Sequence, residues 1–387
     1  MTTTTETLTP FRIEVPESAL ADLRARLADI RLPEPLPGDD WATGVPIAYL
    51  RSLAERWRDF DWRAIEARLN ELPQVTTVID GQTIHAIHVA SPVEGALPLL
   101  LTHGWPGSFL EFVDLIGPLT DPAAHGGDPA DAFSVVIPSL PGFGFSSPLV
   151  EADWGVEGIA RAWAELMTRL GYERFAVQGG DLGAQVSPEV ARVAPDRVVG
   201  VHVNGALGEF IDGSDENATA GMTELEQDRM RRVGEFMQTE GGYIAIQSTR
   251  PGLIGAMVTG SPVAQLAWLV DKLKSWTSPP EADPVDVLGL DFVLANASLY
   301  WFTATGGSAA LVGYRQLSAW GEPPRNSGVP TATIQFAHDV GIRRAAEVSN
   351  TIVRWTDVED RGGHFAAMEE PAILLDDLRA FLRPLRP

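Results

Sequence analysis

The feature that most constrains this chain is a five-residue turn, Gly179-Gly180-Asp181-Leu182-Gly183. It sits between an apolar run, Phe175 to Gln178, and a helix-forming stretch. A Gly-x-nucleophile-x-Gly sequence at a strand-to-helix junction marks a bend too tight for side chains on its flanks. The chain contains no Gly-x-Ser-x-Gly; the central position is a carboxylate. With a usual pKa of about 3.9, Asp181 is ionised at neutral pH and needs no base to activate it. It can displace at a strained or activated sp³ carbon and leave an alkyl ester on the protein. Hydrolysing that ester does need a base and oxyanion donors. A blander reading stays open at this point: an Asp that caps the helix beginning near Leu182.

The rest of the chain reads as the scaffold such a turn needs. Leu99 to Thr102, Phe133 to Pro138, Phe175 to Gln178 and Val198 to Val203 are short apolar runs without clear alternation. Such runs suit parallel strands covered on both faces. Val156 to Gly171 places Val156, Ile159, Ala160, Trp163, Leu166, Met167 and Leu170 on one stripe, which predicts a helix. Strand, helix and strand at this spacing give a βαβ unit and a doubly wound, mostly parallel α/β sheet. Strand texture returns at Thr331 to Phe336 and Thr351 to Trp355, and Pro371 to Leu382 predicts a closing amphipathic helix. Ahead of the sheet, residues 16–31 and Pro46 to Trp57 read as amphipathic helices. Asp59 to Leu69 reads as a third helix, and Gln74 to Val89 as a hairpin turning at Asp80-Gly81. The division implied is an N-terminal extension over 1–95, a first core part over 96–207, a helical lid over 208–320 and a second core part over 321–387.

Charge removes one class of function. Across 387 residues, 29 Lys plus Arg face 52 Asp plus Glu, a formal net charge of −23. No basic run offsets this, so nucleic acid is excluded as a partner. The absence of cysteine removes disulfides, thiolate metal sites and thiol catalysis together, and fits a cytoplasmic location. Met1 to Pro10 has neither a basic segment nor an apolar stretch of signal-peptide type. The most apolar window, Pro251 to Val270, is interrupted by prolines, glycines, Ser261 and Gln265, and a membrane span is not expected there.

Three further pieces complete the chemistry that Asp181 requires. His103-Gly104-Trp105-Pro106-Gly107 follows the Leu99 to Thr102 strand, where one oxyanion N–H is supplied in an elbow enzyme and the residue after the nucleophile supplies the other. Those donors would be the backbone amides of Trp105 and Leu182, although a His-Gly-x-Pro run is also simply a tight turn. Gly362-Gly363-His364-Phe365 follows the last strand, with glycines that let a loop carry the imidazole over the elbow. Of the other histidines, His85, His88, His125 and His202 read as structural or solvated, and His103 as a brace for its own loop. Asp339 lies just past a strand end and gives the chain order nucleophile, acid, His, with Asp357, Glu359 and Asp360 as rivals for the acid.

Together these residues resemble the α/β-hydrolase epoxide hydrolases, in the branch with an N-terminal extension that includes microsomal and juvenile-hormone epoxide hydrolases and soluble bacterial relatives. The likeness begins at Phe11-Arg12-Ile13-Glu14-Val15-Pro16 and runs through Asp61-Trp62-Arg63 and Ile79-Asp80-Gly81. It continues through the His103 to Ser108 and Pro141 to Ser146 motifs, Gly180-Asp181 and Gln247-Ser248-Thr249-Arg250-Pro251, and ends at Gly362 to Phe365. The resemblance implies an α/β-hydrolase fold with an inserted helical lid, and a two-step reaction. Asp181 attacks an epoxide carbon, and water activated by His364 and Asp339 hydrolyses the ester to a vicinal diol without metal or organic cofactor. It also implies two lid tyrosines that protonate the epoxide oxygen. Tyr243 matches the first position. Tyr314 matches the second, with Tyr300 as rival, though Leu311-Val312-Gly313 before Tyr314 and Arg315-Gln316 after it depart from the family pattern. Phe336-Ala337-His338-Asp339 likewise lacks the family's Pro, and His338 could serve as a local hydrogen-bond partner.

The partners implied are a small-molecule epoxide and water. The chain starts almost at the shared extension, so the membrane anchor of the microsomal members is not expected and the protein is expected to be soluble. A homodimer is compatible with the sequence. Two other readings share parts of the pattern. A haloalkane or haloacid dehalogenase would use the same elbow and base, with Trp105 near a halide. A ligand-binding homologue would keep the fold without turnover. Lid aromatics such as Trp268, Trp276, Trp301, Phe302 and Trp320 suit an apolar epoxide or simply fill the lid's own core. Relatives include enzymes of antibiotic and other secondary-metabolite biosynthesis as well as catabolic ones, and the sequence does not choose between them.

Overall fold

The computed structural model describes residues 7–151, 154–208, 211, 219–314 and 325–386, the side chain of Tyr314 excepted. Among these residues one nine-stranded sheet runs in the order β1-β2-β3-β5-β4-β6-β7-β8-β9. The strands are β1 Thr9–Phe11, β2 Gln74–Ile79, β3 Gln82–Val89, β4 Leu97–Thr102, β5 Phe133–Pro138, β6 Phe175–Gly179, β7 Val198–Asn204, β8 Pro330–Gln335 and β9 Thr351–Asp357. Pairings from β5 to β9 are parallel, and those joining β1, β2, β3 and β5 are antiparallel. Every residue of β5, β6 and β7 is buried, which is why these strands read as mostly apolar runs without alternation.

The hairpin forms where the sequence places it. Ile79 pairs with Gln82, and Asp80 and Gly81 between them both take positive φ, the geometry of a two-residue hairpin turn. The N-terminal helices Glu17–Ala28, Ile47–Arg58 and Trp62–Leu69 pack beside the sheet. Asp61 caps the last of them by accepting from the Ala64 N–H at 3.2 Å. They also reach the helices that follow β7: the Trp57 indole donates to Ser298 at 2.7 Å and the Tyr49 hydroxyl to Asp283 at 2.7 Å.

Between β7 and β8 lie the helices Glu224–Thr239, Gly242–Thr249, Pro251–Gly260, Pro262–Trp276, Leu290–Thr303 and Gly306–Tyr314, with a short helix Pro284–Leu288. The apolar window from Pro251 to Val270 is broken at Ser261, whose hydroxyl caps the second of two helices through the Ala264 N–H at 3.2 Å. Gly255 and Gly307 let two helices cross backbone to backbone, since a Cβ on Gly307 would lie 2.9 Å from the Gly255 Cα. Among the described residues no helix is long and apolar enough to cross a membrane.

The order of strands fixes where a site can form. β4 lies between β5 and β6, so the chain leaves it in opposite directions across the sheet. The crevice at the carboxyl ends of such strands is where open α/β sheets bind ligands. Thr102 at the end of β4 pairs with Gly179 at the end of β6, and the two sharpest sequence motifs therefore emerge side by side.

Candidate active site

Asp181 stands at the tip of the bend between β6 and the helix Leu182–Val193, with φ 54° and ψ −119°. That backbone is strained for a residue with a side chain, and such strain concentrates where a chain presents a reactive group. The flanking glycines are dictated by contact. A Cβ on Gly179 would meet the Gly183 backbone at 2.5 Å, and one on Gly183 would overlap the Thr102 carbonyl. Leu182 opens the helix, so its N–H is the first of the donors that a helix start leaves without an internal partner. Asp181 therefore does not act as an ordinary side-chain cap; its side chain accepts no bond from that helix.

Its carboxylate is held from two sides. Oδ1 accepts from the Trp105 backbone N–H at 2.9 Å, and His364 Nε2 lies 3.4 Å from Oδ2. The Trp105 loop is rigid for identifiable reasons. His103 Nδ1 is 3.0 Å from the Gly104 carbonyl, its Nε2 accepts from the Leu140 N–H at 3.2 Å, and its ring is buried. Burial holds the His103 pKa down to about 4, so the brace is a neutral ring.

His364 enters on its own loop, whose backbone N–H donates to the Trp276 carbonyl at 3.0 Å. The His364 and Trp276 rings lie 4.9 Å apart. Burial lowers the His364 pKa, but the Asp181 hydrogen bond and charge, with Asp339 and Glu111 behind them, outweigh it and raise the group above its ordinary value. Asp339 is buried beyond the end of β8, and its Oδ2 accepts from the Phe336 N–H at 2.7 Å. Burial lifts its pKa to about 6 against the pull of that bond, of His364 and of Arg229 and Arg232.

The rival acids lie elsewhere. Asp357 accepts from Arg229 at 2.6 Å and from the Trp355 indole at 3.0 Å, and Glu359 and Asp360 are exposed. Asp181, His364, Asp339 and Tyr243 line a single cavity of ≈ 450 Å³, together with His338, Trp276 and Arg232 among others. Tyr243 stacks on Trp105, with ring centroids 5.4 Å apart and planes at 14°. Lys272 Nζ sits 5.2 Å over the Tyr243 ring and pairs with Glu240 and Asp271.

The remaining tyrosines separate. Tyr300 is buried, donates its hydroxyl to the Gly107 carbonyl at 2.8 Å, and does not line this cavity. Tyr314 ends a helix, and its side chain lies outside the described residues. Four histidines are occupied away from the site or bound in the sheet: His85 with Ser139 and Gln74 at 2.9 Å each, His88 with Tyr172 at 2.8 Å and His202 with Asp377 at 3.1 Å, while His125 lies against Gly117. His338, which the sequence offers as a local hydrogen-bond partner, lines the cavity, and burial holds its pKa down to about 4. Sequence reasoning misses Glu111 and Glu369, two partly buried acids beside the site, because neither stands in a glycine-marked motif. Among the described residues no three His, Asp or Glu side chains converge as a metal site.

The site thus sets one carboxylate between a backbone N–H donor and an imidazole, and similar proteins are known. Residues 8–112 match the family model described as epoxide hydrolase N terminus, and residues 98–232 the model described as alpha/beta hydrolase fold. A putative epoxide hydrolase of Stigmatella aurantiaca is 42% identical over 383 residues, covering 98% of this chain and 86% of that protein. Epoxide hydrolase 1 of Sus scrofa is 34% identical, covering 97% and 89%. Among solved structures, the epoxide hydrolase of Aspergillus niger superposes with a TM-score of 0.83 at 31% identity, covering 98% of this chain and 97% of the other. The juvenile hormone epoxide hydrolase of Bombyx mori gives 0.88 at 27%, covering 98% and 95%.

Proposed function

The chain belongs to the epoxide hydrolase family, on an α/β-hydrolase fold with that family's N-terminal region, and from that premise we propose that it opens an epoxide through an ester on Asp181. In the first step an Asp181 oxygen attacks an epoxide carbon and the ring C–O bond breaks. The departing oxygen takes the phenolic proton of Tyr243, which a group of usual pKa about 10 still carries at neutral pH.

In the second step water adds to the Asp181 carboxyl carbon as His364 takes one of its protons. Asp339 steadies the imidazolium by its charge, and the Trp105 and Leu182 N–H groups receive the oxyanion. Collapse expels the diol oxygen, which takes the proton from His364. The other proton of the water restores the Tyr243 phenol, so the sum is epoxide plus water to diol. Tyr314 is the candidate for a second donor.

The observation that carries this reading is the double hold on Asp181, an amide N–H on one oxygen and His364 Nε2 at 3.4 Å from the other. An aryl epoxide mixed with His364→Gln should leave an adduct of one substrate mass on the intact protein, and Asp181→Asn should leave none. Halide release from an alkyl halide, assayed beside diol formation, separates the dehalogenase chemistry. Turnover without any adduct in His364→Gln would remove the covalent route.

A further inference from the structure

A second cavity, of ≈ 10 Å³, opens against the same carboxylate and is lined by Asp181, His364, Glu111, Asn204, Gly104 and Trp105, among others. That volume is at the lower limit of what holds one water, and a buried water wants roughly two to four polar partners. Four polar side chains line it. Asp181, Asn204 and His364 also border the ≈ 450 Å³ cavity, whereas Glu111 and Ala367 also border a separate groove of ≈ 690 Å³. The small cavity therefore lies between the groove and the reacting carboxylate.

Glu111 is built into this position. Its carboxyl lies over Gly107, where a Cβ would overlap Oε1, and it accepts from the Ser108 N–H. Gly107 is itself fixed through its carbonyl by the Tyr300 hydroxyl at 2.8 Å. Asn204 Oδ1 accepts from the Gln178 side-chain amide at 2.8 Å, and its own amide nitrogen faces Gly180, where a Cβ would come within 2.5 Å. The two-step reaction assigns nothing to Glu111.

We propose that this small cavity seats the water that hydrolyses the Asp181 ester, and that Glu111 is a further catalytic residue which orients that water. The inference rests on the ester route proposed above. The water gives one hydrogen bond to His364 Nε2, which takes that proton as the oxygen adds to the Asp181 carbon, and its second hydrogen bonds to the Glu111 carboxyl. Burial, with the Asp181 charge adding to it against His364 and the Ser108 bond, pushes the Glu111 pKa up to about 8. Near neutrality Glu111 is thus a neutral acid.

The test separates the two steps by stopped-flow Trp fluorescence with an aryl epoxide, Trp105 and Trp276 being beside the site, and by intact-protein mass. For Glu111→Gln we expect ester breakdown to slow by roughly 100-fold relative to ester formation, so that the adduct accumulates. We also expect the ionisation near pH 8 in the wild-type breakdown rate to be missing from the variant, a change that a packing role would not produce. Breakdown within about twofold of wild type, or equal slowing of both steps, overturns the assignment. His364→Gln is run in parallel: if it traps no adduct, the ester route fails at its own step, whatever Glu111→Gln does.

Discussion

Gly104 lies so close to the nucleophile that a methyl group there would overlap the Asp181 carboxylate. The neighbouring Trp105 N–H is what holds Asp181 Oδ1, so Gly104→Ala must either push the carboxylate off its donor or move the loop. Near-attack geometry is sensitive to shifts of about an ångström, and we expect ester formation to fall by roughly 100-fold. Overpacking of this kind costs about 1–3 kcal/mol, which leaves the protein folded. Gly155→Ala makes the contrast: a Cβ there meets nothing within 4 Å, and its rate should match wild type. Equal rates for Gly104→Ala and wild type in single-turnover mixing would mean that the Asp181–Trp105 contact does not set the attack geometry. The same reasoning distinguishes the tyrosines. Tyr300 has its hydroxyl committed to Gly107, whereas Tyr243 faces the cavity with Asp181.

Between elements, Glu369 joins the His364 loop to the helical segment that follows β7. One carboxylate oxygen accepts from the Phe365 N–H and the other from the Ser278 N–H, each at 2.8 Å. Glu369→Ala strips two backbone donors of their partner, at about 1–3 kcal/mol each where water cannot replace it. We expect stability in denaturant to drop by roughly 2–4 kcal/mol, with ester breakdown slowed more than ester formation, because His364 serves the second step of the proposed reaction. Wild-type stability together with a wild-type breakdown rate would show that the link positions nothing. The difference between what the sequence displays and what it hides follows from the same geometry. The strands β4 to β7 are legible because burial on both faces keeps them mostly apolar and without alternation, with Thr102, Ser134, Gln178, His202 and Asn204 as buried exceptions, and the elbow, the Trp105 loop and the His364 loop are legible because close backbone contact selects glycine. β1 is not, since Thr9–Phe11 is too short to show a period. Glu111 and Glu369 are not legible either: each looks like an ordinary solvent-facing acid in its own segment and becomes partly buried only when separate elements close around it. Tyr314 matches its family position by register alone, with neighbours that depart from the pattern.

Across the whole molecule, the buried titrating groups set how stability depends on pH, and their signs can be worked through. His85, His103 and His338 have pKa values held by burial to about 3, 4 and 4, below 6.5. Between about pH 4.5 and 6.5 the unfolded chain binds protons on these three that the fold does not, which makes stability rise with pH. Asp339, Glu369 and Glu111 are displaced the other way by burial, to about 6, 7 and 8. Over that same interval the fold keeps three protons that the unfolded chain has lost, which makes stability fall with pH. The two trends oppose and give a plateau. At pH 6.5 the histidines of the unfolded chain are half protonated, so up to pH 8 the three still add ~1 kcal/mol to stability, while Glu369, then Glu111, bind protons only in the fold; His364, raised in the fold, acts in the same sense as the glutamates. Stability should therefore decline from pH 6.5 to 8, the ~2–3 kcal/mol lost through the two glutamates exceeding the ~1 kcal/mol gained through the histidines, at 1.36 kcal/mol per pKa unit. Surface repulsion does not produce this slope. The net charge of −23 already counts exposed carboxylates as ionised and histidines as neutral, so it changes little over that interval. Denaturant unfolding at pH 6.5 and pH 8 measures the decline directly, and Glu111→Gln should abolish it, since the smaller Glu369 contribution is about balanced by the histidines. A protein whose stability rises from pH 6.5 to 8, or a Glu111→Gln variant with the full wild-type slope, would mean that Glu111 is ionised in the fold at neutral pH. It could not then hold the hydrolytic water as a neutral acid.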